Sequence, residues 1–152
     1  MDERIAYKLL LKQYCEKVFA ERIATTQLAM NEAQAAANEE SKSSAGDKYE
    51  TARAMGHLQK DMYARQLQAH LQERSALNTV NVQTVYHTPA VGALVQSATA
   101  RFFIGAGLGK QVVEGQTIIF LSPASPLARQ LMQKKPGDTF DFKGKDTIIT
   151  VY

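Results

Sequence analysis

Between Asp2 and Glu40 the chain contains neither glycine nor proline. Ala, Leu, Glu, Gln, Lys and Arg dominate the stretch, and residues that lose little on entering a helix leave that as its favoured conformation. Cys15, Phe19, Ile23, Thr26, Met30, Ala33 and Ala37 recur three or four apart. That spacing marks a seam along which a second helix packs. Its residues shrink from Phe and Ile to Ala toward residue 40, so two helices can approach more closely at that end. Ser41 to Asp47 then breaks the pattern with four serines and glycines. Asp47 suits a helix N-cap, with Glu50 as its capping-box partner. A second proline-free stretch runs from about Lys48 to about Leu77, with a seam predicted at Ala52, Met55, Gln59, Met62, Gln66 and Ala69. So short a break between two long helices predicts an antiparallel hairpin whose arms are on the order of 45–55 Å long, a projecting finger.

After Asn78 the character changes. Thr79 to Tyr86 alternates with period two, which predicts a strand. Further strands are expected at 92–97, 100–104, 116–121, 139–142 and 147–151. The glycine-rich run Gly105-Ala106-Gly107-Leu108-Gly109 reads as a flexible turn, and Lys143 to Asp146 as the loop of a closing hairpin. Ser125 followed by Pro126 predicts the start of a short helix over 126–133, with Ser125 as N-cap and proline in the first turn. The expected class is α+β: a coiled-coil helical hairpin over 1–78, then a small antiparallel β domain with one helix over 79–152.

Charge follows the same division. Residues 1–78 carry eleven Lys/Arg and eleven Asp/Glu, whereas 79–152 carry seven and four, which accounts for the net charge of +3. No long basic run suggests an extended nucleic-acid footprint. The lone Cys15 rules out an internal disulfide, and His57, His70 and His87 are too scattered for a zinc site. No apolar run reaches membrane-spanning length and no secretory signal opens the chain, so a cytoplasmic protein without membrane partners is expected. The glycine-rich run lacks the Gly-Lys-Ser/Thr of a phosphate loop. No serine sits in a nucleophile elbow, and no catalytic constellation follows from spacing.

Two stretches carry more information. Ile118-Ile119-Phe120-Leu121-Ser122-Pro123-Ala124-Ser125-Pro126-Leu127-Ala128-Arg129-Gln130-Leu131, running on to Pro136-Gly137-Asp138, resembles the C-terminal domain of the bacterial GreA/GreB transcript-cleavage factors. That family has a strand, a Ser-Pro-(Ile/Leu)-Ala-Arg helix start and a Gly-Asp turn in this order, preceded by a helical hairpin. The resemblance implies an FKBP-like fold for residues 79–152 and RNA polymerase as partner. Ser125, Pro126 and Arg129 would meet the rim of the polymerase secondary channel. The hairpin would enter the channel, in indirect contact with nascent RNA and DNA.

The second stretch is the hairpin tip. In the family an acidic pair there helps hold a second Mg²⁺ beside the polymerase's own, which suits two-metal cleavage of a phosphodiester. With Tyr49 aligned to the family tyrosine, Lys42 and Ala45 stand where those acids belong. The acids that remain nearby are Glu39, Glu40, Asp47 and Glu50. Either Asp47 and Glu50 form a displaced Mg²⁺-binding pair, or both serve only as first-turn helix residues. The chain would have no cofactor of its own and would not be an enzyme, since any cleavage belongs to the polymerase. The expected function is thus an elongation regulator that stimulates cleavage of backtracked RNA, or a channel-occupying inhibitor. From other classes come a prolyl isomerase with Phe102, Phe103, Phe120 and Tyr152 around a proline pocket, and a coiled-coil dimer. An intramolecular hairpin instead predicts a monomer.

Overall fold

The computed structural model describes the backbone of residues 2–43 and 47–152, and their side chains except at 40–43, 47–50 and 52. Two helices come first, α1 at Glu3–Ser43 and α2 at Asp47–Asn78. They are followed by strands β1 (Leu94–Ser97), β2 (Arg101–Ile104), β3 (Gly109–Val113) and β4 (Gln116–Leu121), helix α3 (Pro126–Leu131), and strands β5 (Thr139–Asp141) and β6 (Lys145–Val151). The expected α+β class is therefore present: a long helical hairpin, then a mostly antiparallel sheet with one short helix. Helix α1 runs through Ser43, beyond the break expected at Ser41, and residues 44–46 lie outside the described part. The chain divides into two compact units, Val18–Arg74 on the one hand and Met1–Lys17 with Ser75–Tyr152 on the other.

In the unit Val18–Arg74 the α1 seam is where its spacing places it. Phe19, Thr26 and Ala33 are buried, and Ile23, Met30 and Ala37 are half-buried. The helices run antiparallel, since Arg22 lies 3.9 Å from Glu73 while Gly56 faces Ala37. The predicted α2 seam is corrected by one position. Met55, Gln59, Met62, Gln66 and Ala69 are exposed, and Gly56, Tyr63, Leu67 and His70 face inward; the side chain of Ala52 lies outside the described ones. The inward phase collects Tyr63 and Leu67 where the expected one offered Gln59 and Gln66, so it buries more apolar area. It also sets Gly56 against Ala37, where an added Cβ would come within 3.0 Å of the alanine Cβ. Small against small lets the two backbones approach.

One seam atom is poorly served. His70 Nδ1 is buried without a hydrogen-bond partner, and Glu73 Oε1, at 3.7 Å, is too far to supply one. Because an unsatisfied buried polar atom costs stability, His70→Leu should stabilise this unit by about 1 kcal/mol. A rise in the urea midpoint followed by far-ultraviolet circular dichroism would show it.

The other unit is built on a six-stranded sheet with the order β3-β4-β2-β1-β6-β5. All neighbours are antiparallel except β2 and β4, which are parallel, a departure from the fully antiparallel sheet expected. Phe102, Ile104, Val95, Leu121, Ile148 and Leu131 lie at the centre of its core. The run Gly105–Leu108, expected as a flexible turn, carries the chain from β2 past β4, with Ala106 and Leu108 buried on the way. β3 begins at the last glycine of that run, which is why composition hid it. The β3–β4 turn uses Glu114 (φ 49°) and Gly115 (φ 78°), two left-handed residues as a tight two-residue hairpin requires.

The strand expected at 79–86 does not form. Val80 and Val82 are buried while Asn81 and Gln83 are exposed, so the alternation is real, but no neighbouring strand pairs with it. Side chains bind its backbone instead. Lys12 Nζ donates to the Val80 carbonyl at 2.9 Å and Lys8 Nζ to the Thr84 carbonyl at 2.6 Å. Asn81 Oδ1 accepts from the Gln83 amide at 2.8 Å, an Asx turn that bends the segment. Lys8 is fully buried, with its ammonium 4.7 Å from the centre of the Tyr86 ring, and burial pulls its pKa down to about 8. On another face of α1, Tyr14 stacks on Phe120 with ring centres 5.7 Å apart and donates to Gln111 Oε1 at 2.8 Å. Thus residues 1–17, read as part of the hairpin, pack with the sheet.

Candidate functional site

The turn into α3 is held from within. Ser125 donates its hydroxyl to the Ser122 carbonyl at 2.7 Å, and the same oxygen accepts from the Ala128 amide at 3.3 Å as the helix N-cap. The Ala124 amide donates to Ser122 Oγ at 3.2 Å. Pro126, without an N–H and with a pre-set φ, sits in the first turn, where helices tolerate it best. Ala128 and Leu131 point into the core, which anchors the helix and leaves Pro126 and Arg129, three residues apart, exposed on one side. Among the described residues no acid pairs with Arg129. The structure therefore brings Ser125, Pro126 and Arg129 together, with Ser125 as scaffold and the other two as surface. Helix α3 ends at Leu131 rather than at 133, with Met132 as its C-cap.

Of the acids expected at the hairpin tip, Glu39 is exposed on α1. The side chains of Glu40, Asp47 and Glu50 lie outside the described residues, as does that of Lys42, and Ala45 lies outside altogether. Among the described residues no group of three or more His, Cys, Asp or Glu could hold a metal ion.

The sheet unit also has a cleft that no local motif announces. It encloses about 560 Å³ and is lined by Thr99, Ala100, Arg101, Lys110, Thr117, Ile119, Phe142 and Lys143. Sheet order explains the gathering, for β2 brings Arg101, β3 brings Lys110, β4 brings Thr117 and Ile119, and the β5–β6 turn brings Phe142 and Lys143. In the β3–β4 register Lys110 stands opposite Ile119. A second hollow of about 350 Å³ shares Thr99, Ala100, Arg101 and Thr117 and adds Gln96, Ser97, Ala98 and Gln116. Arg101 donates to Gln116 Oε1.

Asp146 fixes the corner between the two hollows. It is buried in β6, not in the hairpin loop where the sequence reading put it. Its carboxylate accepts from Ser97 Oγ at 2.7 Å, from Thr99 Oγ1 at 2.5 Å and from the Thr147 amide at 2.7 Å. Burial pushes this carboxyl up, but the bonds from Thr99, Ser97, Thr147 and Ala98 outweigh it and hold the group below the ordinary carboxylate value. The signal was available. Asp146 and Ile148 are two apart on a strand, so an inward Ile148 puts Asp146 on the inward face too.

No acid–base or nucleophilic pair emerges among the described residues. Cys15 is fully buried, and burial, with Glu16 beside it, pushes its thiol up to about 12. That is the opposite of an activated cysteine. The hydroxyls of Ser97 and Ser125 are committed to structural bonds. Phe102, Phe103 and Phe120 are buried in the core and offer no open cradle for a proline. No helix among the described residues is long and apolar enough to cross a membrane.

No protein-family model matches the chain, and no curated protein matches it. Among solved structures it is similar to one described as the structure of the transcription factor Gfh1, at 15% identity, over 90% of this chain and 92% of that one, with a TM-score of 0.38.

Proposed function

We propose that this chain binds RNA polymerase through the turn into α3 and places its helical hairpin in the secondary channel, as a regulator of elongation. The observation that carries the reading is the segment Ser125-Pro126-Leu127-Ala128-Arg129. It resembles the Gre-factor motif in sequence, and it is built here as a rigid capped turn with Pro126 and Arg129 exposed. The long antiparallel hairpin ahead of the sheet supports it. The protein acts as a cytoplasmic monomer and is not itself an enzyme. Any RNA cleavage uses the polymerase's Mg²⁺ site, with Asp47 and Glu50 as the acids that would help hold a second ion.

Lys42 and Ala45, standing where the family has its acids, favour a second form of the reading, in which the hairpin occupies the channel and slows elongation. Cleavage of transcripts by stalled, backtracked cognate polymerase separates the two. Cleavage stimulated by the protein and lost in Asp47→Ala or Glu50→Ala establishes the displaced acidic pair. Slowed elongation without cleavage establishes the inhibitor. Both forms require binding, and Arg129→Glu should weaken it about tenfold or more, since a reversed charge at a docking rim repels what the native one attracts. If the unaltered protein does not bind the polymerase, the reading fails.

A further inference from the structure

The cleft over β2, β3 and β4 is matched to a ligand that the polymerase reading does not use. Arg101, Lys110 and Lys143 line it, and none of its lining residues is an acid. In a chain of net charge +3, three cations around one hollow of about 560 Å³ are a local concentration of positive charge. The volume is that of a small-molecule site. A polynucleotide would call for a longer basic track than this chain offers.

The rest of the lining narrows the chemistry. Phe142 is half-buried, held edge-to-face against Phe102 with ring centres 5.4 Å apart, so its orientation is fixed before anything binds. Lys143 Nζ lies 5.6 Å from the centre of the same ring. Phe142 and Ile119 thus offer an apolar wall beside the cations, and Thr99 and Thr117 bring hydroxyls. Asp146 holds Thr99 in place through its hydroxyl. A polyphosphate alone would use the cations and leave the wall idle. A ligand with a phosphate chain and a planar ring would use both, the ring on Phe142 and the phosphates among Arg101, Lys110 and Lys143.

We propose that this cleft binds a nucleoside polyphosphate. Titration calorimetry on the full chain with GTP, tripolyphosphate and guanosine tests it. GTP should bind saturably, tripolyphosphate more weakly, and guanosine more weakly still. Lys110→Gln combined with Lys143→Gly should cut GTP affinity about tenfold or more. Neither change should disturb the fold, because Lys110 is exposed and Lys143, at φ 51°, occupies backbone space that glycine adopts freely. Phe142→Leu should weaken GTP and leave tripolyphosphate unchanged. The proposal is overturned by the absence of saturable GTP binding at millimolar concentration, or by equal affinity in the double variant. Tighter binding of polyglutamate or of single-stranded RNA than of GTP would also overturn it and identify the cleft as a macromolecular surface.

Discussion

Phe102→Ala is expected to lower the unfolding free energy of the sheet unit by about 3–5 kcal/mol, the usual cost of removing a fully buried ring. Phe102 sits on β2, an inner strand of the sheet, with no surface exposed. It pairs with Val95 on β1 and Ile119 on β4, and its ring meets those of Phe140 and Phe142 edge-on at 5.8 and 5.4 Å. Alanine would forfeit the transfer energy of the ring, leave a cavity, and remove two aromatic contacts worth about 0.5–1.5 kcal/mol each. Phe102→Leu keeps most of the volume and should cost much less. Circular dichroism at far-ultraviolet wavelengths reports mainly the hairpin, so the measurement should follow amide hydrogen exchange in β1, β2 and β4. Loss of protection across the sheet unit, with Val18–Arg74 unaffected, is the expected pattern. Unchanged protection in β2 would mean that the ring does not organise this core. The same substitution loosens Phe142, so the wall of the neighbouring cleft should soften with it.

What the residues declared in advance depended on whether the signal was local. Helix α1 was legible because absent glycine and proline, good helix formers and a regular seam all agreed. The α2 seam lies one position from where the pattern predicts it, because Met55 and Met62 have core character and Gly56 does not. Only the partner helix, with Ala37 opposite, makes a glycine an inward residue. Met55, Leu58 and Met62 are 58%, 67% and 42% exposed, so apolar character alone misplaces a helix face. Thr79–Tyr86 is the complementary case. Period two reports that one side of a segment is buried, and here lysine ammoniums from α1 take the place of strand partners. The turn at Ser125 and Pro126 was readable residue by residue, since a cap and a first-turn proline are local chemistry. The cleft was not, because Arg101, Lys110 and Lys143 are brought together only by the order of the strands.

Asp146→Ala is expected to cost the sheet unit about 2–4 kcal/mol, because it strands several donors at once. Thr99 would lose the acceptor for its hydroxyl and the Thr147 amide would lose its own, while the Ser97 hydroxyl would fall back on the Ala100 carbonyl at 3.1 Å. Ser97 also accepts from the Ala100 amide at 2.9 Å, so the whole corner from 97 to 100 depends on this carboxylate. Asp146→Asn keeps the shape but turns part of the acceptor into a donor facing hydroxyls. It should recover only a fraction of the loss. The pH dependence follows from the direction of the shift. The folded carboxyl sits below its ordinary value of 3.8, so its contribution is fully present above that value. It is lost as pH falls through the lower folded value, where the native state must also take up the proton. Urea unfolding of the native chain and of Asp146→Ala at a series of pH values from 7 down to 2 reads this directly. The difference between the two should be constant near neutrality and shrink in acid. A difference independent of pH would show that the side chain stabilises this corner by packing, with its charge idle. The hydrogen-bonded carboxylate would then not be what holds Thr99 at the edge of the cleft.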